Sequence, residues 1–419
     1  MRACCPSCVP SCLGVSARAL RLAIARAHGR SLNRNNSPYI GRCTMMKGQQ
    51  EMPTACQRTV TNAPQWARSL PADVRTPCFV VDEEGVIENL RATARVCGGI
   101  ERLMPHVKTH RAGWIVELCL REGVRAFKTA TIAETAMVLA AGAPYVVWAY
   151  PSLNKANIRA LLQAAQAHPQ ATIGALVDSH AGFAAWREVL SQAVDPVRNL
   201  TLIVDLDPGM GRTGMPLDES AIELAHAVNA LDYFGGWHVY DGHIQGSDAD
   251  VRRKRIGEVM RHIAGLLGRA SAEGLSNELI AGGSYSFDVW PASLAKYVGP
   301  GSWTYSSAQH DEELPDREWR PSAFVLATVI ATKGATATLD AGAKAISPDK
   351  PVTDRFRWPG KIMMMSEEHV VVENAGFAVG DRVLLLPRHA CTTAYLYQNA
   401  LVLARNGEWT LRAQLGSQR

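Results

Sequence analysis

Acidic side chains are missing from the first fifty residues, which hold seven Arg and one Lys. That segment carries +8, so a chain total of +5 leaves −3 for Glu51 onward. The positive net charge therefore marks no basic groove for phosphate backbones, and nucleic acid is set aside as a partner. Long apolar runs are missing too. None approaches the roughly eighteen residues of a membrane span, so no membrane role is expected. Cysteines at paired zinc-site spacing are also lacking. Of the ten, Cys4, Cys5, Cys8, Cys12 and Cys43 crowd the start of the chain and the rest are isolated, as in a reducing cytoplasm. Residues 1–60, acid-free and Arg-rich over the first fifty, read as a leader, or as a start placed upstream of Met45, Met46 or Met52.

What is present is an ordinary globular composition, 47% hydrophobic and 20% charged, in a chain of 419 residues long enough for two domains. From Thr76, short apolar and β-branched runs alternate with amphipathic stretches. The runs at 78–82, 102–105, 126–129, 145–150, 172–178, 200–207, 235–240, 278–281 and 296–298 read as parallel strands with helices between most of them. No glycine fingerprint follows the first of them, where Val81-Asp82-Glu83-Glu84-Gly85 stands, which argues against a doubly wound sheet. An α/β architecture follows, a (β/α)8 TIM-like barrel over residues 61–318. After Pro321 the helices vanish. Strands at 323–331, 335–340, 369–373, 382–387, 395–403 and 409–411 read as a C-terminal β domain over residues 319–419.

A barrel gathers reactive residues at the C-terminal ends of its strands. Lys108 and His106 follow the second run, Arg212 the sixth, Tyr240 and His243 the seventh, and Gly282-Gly283-Ser284 the eighth. A lysine at a barrel mouth is partly desolvated and can be neutral, as a covalent catalyst must be; a snorkelling lysine is the plainer alternative. The Gly-Gly-Ser segment could receive a phosphate on its backbone N–H groups or simply turn the chain, and Pro300-Gly301-Ser302 is a second such loop. Arg212 could pair with Asp205 or Asp207, or face a ligand. His389 and Cys391, taken as lying on an extended segment, would point the same way and could share a metal or merely pack. Ser366-Glu367-Glu368-His369 reads as a turn, and Thr131-Ile132-Ala133-Glu134 as a capping box.

Seven segments together resemble the D-threonine aldolase and D-serine dehydratase family: 73–77 (Asp-Val-Arg-Thr-Pro), 105–110 (Pro-His-Val-Lys-Thr-His), 127–134 (Phe-Lys-Thr-Ala-Thr-Ile-Ala-Glu), 207–214 (Asp-Pro-Gly-Met-Gly-Arg-Thr-Gly), 240–243 (Tyr-Asp-Gly-His), 366–369 and 387–391 (Pro-Arg-His-Ala-Cys). The resemblance spans about Thr76 to Trp409. It implies an alanine-racemase-like barrel that binds pyridoxal phosphate (PLP), followed by a β domain. Lys108 would bond the cofactor, Arg212 would meet the pyridine nitrogen, Tyr240 and His106 would lie beside it, and Gly282, Gly283 and Ser284, with Gly301 and Ser302, would hold its phosphate. His389 and Cys391 would bind a divalent metal, Zn²⁺, Mn²⁺ or Mg²⁺. The implied reaction is cleavage of a D-3-hydroxy amino acid such as D-threonine to glycine and an aldehyde, with His243 a neighbouring candidate base. A dehydratase acting on D-serine or D-3-hydroxyaspartate is the alternative, ahead of a racemase or a non-catalytic PLP carrier. The chain departs from the family's pattern at Cys391, where some aldolases carry aspartate, and at Ser307, where many relatives do. A small D-amino acid is the expected partner, in a cytoplasmic homodimer.

Overall fold

The computed structural model describes residues 64–193 and 196–419; the Arg-rich leader and its cysteines lie outside the described residues. Strand β1 (Cys78–Asp82) leads into a helix at Glu83–Cys97. Seven parallel strands follow in sequence order: β2 (Ala126–Thr129), β3 (Tyr145–Trp148), β4 (Thr172–Val177), β5 (Leu200–Leu206), β6 (Phe234–Val239), β7 (Leu279–Ala281) and β8 (Tyr297–Val298). Residues 103–106 close the gap between the two edge strands. Leu103 bridges to Val298 and His106 to Lys128, both in parallel. Met104 N–H donates to Val298 O at 2.9 Å, and Lys128 N–H to Pro105 O at 2.9 Å. Pro105 has no N–H to give, so this eighth position makes isolated bridges rather than a ladder.

The helices between strands start where polar side chains can accept their free N–H groups. Thr131, Asn154, Ser179, Asp218 and Asp248 each cap the following helix in this way. Each cap fixes where a βα loop ends, and so the shape of the barrel mouth. Inside the barrel, Met104, Ala126, Val147, Leu176, Ile203 and Ile280 form one buried apolar layer. Side chains on a strand return to the same face every second residue. The inward face therefore continues from Ala126 to Lys128, from Ile203 to Asp205 and from Met104 to His106, while on β6 it carries His238. A polar layer thus sits directly above the apolar one, at the C-terminal mouth.

The C-terminal sheet comprises β9 (Ala323–Lys333), β10 (Thr336–Leu339), β11 (Ile362–Met365), β12 (Val370–Glu373), β13 (Arg382–Leu385), β14 (Asn399–Leu403) and β15 (Trp409–Ala413). Its order is β11-β12-β10-β9-β1-β14-β15, with β13 also on β9. This corrects the expectation for the run at 78–82. It is a strand, but it lies between β9, antiparallel, and β14, parallel, rather than in the barrel. A strand followed by a helix looks like a barrel unit in sequence, and nothing local states which sheet pairs with it. Phe79, Val80 and Val81 are fully buried, as a central strand requires. Strand β11 and a short helix at Ala390–Ala394 were not expected from the sequence.

Candidate active site

Lys108 stands in a single 3-10 turn, Val107–Thr109, directly after the bridging segment. Val107 is fully buried and pins the turn, and His106 Nδ1 accepts the Lys108 N–H at 3.4 Å. The Lys108 side chain is reached by solvent through an open cavity, while dense protein surrounds it. That burial lowers its pKa; Arg212 acts in the same direction, and Cys391 and Glu134 oppose. Burial pushes the neighbouring His106 far down as well, so it stays a neutral acceptor.

One cavity of about 470 Å³ is lined by Lys108, His106, Tyr240, Gly283, Ser284, Gly301, Ser302, His389 and Cys391. A second, of about 340 Å³, shares His106, Lys108, Lys128 and Tyr240 with it and adds Arg212. Tyr240 is the wall between them. Its ring faces the Lys108 amine at 5.7 Å and the Arg212 guanidinium at 4.9 Å. Among the described residues Arg212 makes no ion pair, and both nearby carboxylates are engaged. Asp205 receives His238 Nδ1 at 2.7 Å and the Thr213 hydroxyl at 2.9 Å. Asp207 accepts the N–H groups of Gly209, Met210 and Gly211. A free cation therefore faces the cavity.

The two candidate phosphate loops form a single feature. Gly301 N–H and Ser302 N–H both donate to Ser284 Oγ, at 3.2 and 3.0 Å, which joins the loops across the cavity wall. Gly282 has φ 74°, and Gly283 lies flat on Tyr240, where an added Cβ would come within 2.7 Å of the ring. A Cβ on Gly301 would meet His106 O and Thr109 Oγ1, each at 2.9 Å. The Lys108 amine on one side of the cavity and, on the other, the Gly301 and Ser302 N–H groups converging on Ser284 Oγ fit a ligand with a carbonyl and a phosphate whose oxygen takes the hydroxyl's place.

His389 and Cys391 do meet, but not on an extended segment. His389 is the residue before the short helix Ala390–Ala394, and Cys391 lies in its first turn. They hydrogen-bond to each other, and Cys391 Sγ lies 3.5 Å from Thr109 Oγ1. His389 Nδ1 bonds Asp349, which leaves Nε2 as the ring's other donor atom. Burial works against charge on both partners, yet the thiol is lowered and the imidazole raised to about 9 because each stabilises the other's ion. Among the described residues no group of three or more His, Cys, Asp or Glu is arranged to hold a metal, so the protein offers an ion two donors here.

Other candidates fall outside this arrangement. His243 lines neither cavity; it lies by Gly209, and its buried Nδ1 has no partner. Ser366 and His369 bond each other in the turn between β11 and β12, away from the cavities. Thr131 caps as expected, but Glu134 does more. It accepts Ala130 N–H and forms a buried ion pair with Arg111 at 3.1 Å.

Sequence reasoning missed the Lys128–His238–Asp205 chain on the inward face of β2, β6 and β5. Lys128 Nζ is 3.3 Å from His238 Nε2, and all three side chains are buried. Burial, followed by the charge of Lys108, pushes Lys128 down to about 8. A lysine in the middle of the strand Ala126–Thr129 was the available signal. It also missed His310 and Lys350, which line the cavity from the short helix Ala308–Glu313 and the loop after β10. Lys108, Lys128 and Lys350 line the larger cavity with no Asp or Glu, a wall suited to an anionic ligand.

Residues 81–307 match the family model described as "Alanine racemase, N-terminal domain", and residues 322–403 that of a "Putative serine dehydratase domain". The chain is 26% identical to a 3-hydroxy-D-aspartate aldolase of Paracoccus denitrificans (strain Pd 1222), over 80% of this chain and 90% of that protein. Among solved structures it is similar to D-threonine aldolase from Filomicrobium marinum, with TM-score 0.75 and 23% identity over 83% of this chain and 96% of that one. It is also similar to D-threo-3-hydroxyaspartate dehydratase from Delftia sp. HT23, with TM-score 0.69 and 21% identity over 82% and 98%.

Proposed function

The chain belongs to the alanine racemase N-terminal domain family, and we propose from this that it is a PLP-dependent lyase cleaving D-3-hydroxy amino acids to glycine and an aldehyde. One observation carries the reading: Lys108 and the His389–Cys391 pair, far apart in sequence, line one cavity and touch through Thr109. The curated relative, a 3-hydroxy-D-aspartate aldolase, supports it.

In this reading Lys108 bonds the cofactor, the N–H groups around Ser284 with Gly301 and Ser302 receive its phosphate, and Arg212 and Tyr240 flank its ring. Bound there, PLP supplies a sink for the electron pair left at the substrate Cα. Lys108, its pKa lowered by burial, would return a proton to that carbon. His106, half-buried and neutral, accepts the Lys108 backbone N–H and so holds the turn without adding charge. His389 and Cys391 would hold a divalent ion, which supplies Lewis acidity at the β-oxygen. With two protein donors, its remaining positions belong to water or substrate oxygens. Tyr150 and Leu153, large side chains left exposed by the mouth, support a homodimer.

The His389–Cys391 pair favours a second reading, elimination of water from the same substrates followed by hydrolytic release of ammonia, as in the dehydratase the fold resembles. Product analysis with D-threonine, L-threonine and 3-hydroxy-D-aspartate, with and without chelator, separates the two. Glycine and an aldehyde from D substrates alone support the aldolase, and 2-oxo acid plus ammonia the dehydratase. Neither product from any of them refutes the lyase assignment.

A further inference from the structure

Aldol cleavage needs a base for the substrate's β-hydroxyl proton, and His243, the candidate from sequence, does not line the cavity. His310 does. It sits in the short helix Ala308–Glu313, and that helix is stapled to the segment bearing His389. Ala308 N–H donates to Pro387 O at 3.1 Å, and Gln309 N–H to Arg388 O at 3.2 Å. The His310 ring is buried, with 6% of its surface exposed. Its Nδ1 is tied to Ser307 Oγ at 2.8 Å, and Tyr285 packs beside it with ring centroids 6.0 Å apart. Among the described residues Nε2 has no hydrogen-bond partner, and with Nδ1–H donating to Ser307 Oγ it is the ring's accepting atom, on a residue that lines the cavity.

Resting on the lyase reading above, we infer that His310 is the catalytic base that takes the β-hydroxyl proton, with Ser307 positioning its ring. The step balances within the substrate. Nε2 gains the proton, the O–H pair becomes the second bond of the aldehyde carbonyl, and the Cα–Cβ bond breaks. Its electron pair stays with Cα, where a proton completes glycine. Burial, with the charges of His389, Lys350 and Arg388, lowers the ring's pKa to about 3, so the ring is unprotonated before the step and holds the proton only transiently.

The test compares two reactions of the holoenzyme. Cleavage of a D-3-hydroxy amino acid needs the hydroxyl base, whereas exchange of the glycine α-proton with D2O, read by NMR, does not. His310→Gln should lower kcat for cleavage roughly 10²- to 10³-fold while glycine exchange and the visible absorbance of the bound cofactor stay at wild-type levels. Added imidazole should restore part of the lost cleavage in His310→Ala, and Ser307→Ala should lower kcat with KM unchanged. Undiminished cleavage in His310→Gln overturns the assignment, and so does a parallel loss of cleavage and exchange, which marks a structural role. A wild-type enzyme that exchanges glycine protons but cleaves no D-3-hydroxy amino acid overturns the aldolase reading instead.

Discussion

Lys128→Met isolates the cost of a charge buried at the heart of the barrel. Lys128 is 2% exposed, and its amine has a neutral histidine rather than a carboxylate as nearest partner. Burial holds its pKa at about 8 against an ordinary 10.5. At 1.36 kcal/mol per unit, that depression corresponds to about 3 kcal/mol of destabilisation. The sign follows from proton linkage. The folded state binds this proton more weakly than the unfolded chain, so the cost is fully present below about pH 8 and fades as pH rises to 10.5. Methionine fills similar volume without charge. Urea unfolding of the cofactor-free protein should therefore show Lys128→Met gaining stability over wild type by about 2 kcal/mol more at pH 7 than at pH 9.5. An advantage independent of pH, or a loss at pH 7, would refute the account of Lys128 as an uncompensated cation. The same variant should lose activity if the charge serves an anionic ligand.

Lys108→Ala should leave the fold intact yet abolish turnover and the visible absorbance of the bound cofactor, checked by spectroscopy after adding PLP. Gly301→Ala should weaken cofactor binding at least tenfold by titration, since its new Cβ has backbone and Thr109 contacts at 2.9 Å with no flexible group to yield. Asp349→Ala frees the His389 ring and should lower divalent-metal affinity about 10- to 100-fold by calorimetry, with cofactor binding unchanged. Arg111→Met leaves Glu134 buried without its cation and should cost about 3–5 kcal/mol in denaturant unfolding.

The sequence by itself determined most element types, because hydrophobic periodicity and helix caps are local, but not strand β11 or the helix Ala390–Ala394. The barrel's strand–helix alternation, the helix-poor C-terminal segment and the capping threonine at 131 were all readable from neighbouring residues. It also marked Lys108, Arg212, Tyr240 and the two glycine–serine loops, because each follows a strand at the end where barrels collect reactive groups. Only the tertiary structure decided pairing. Residues 78–82 look like any barrel strand, yet join β9 and β14, since hydrogen-bond partners lie hundreds of residues away. Likewise Ser284 joins two loops that look independent in sequence. The same limit hid the polar layer and His310. Lys128, Asp205 and His238 become one network only when three strands align in register, and nothing near His310 tells that its helix docks against Pro387 and Arg388. Local physics sets what each segment can be, and long-range packing sets which side chains share a cavity.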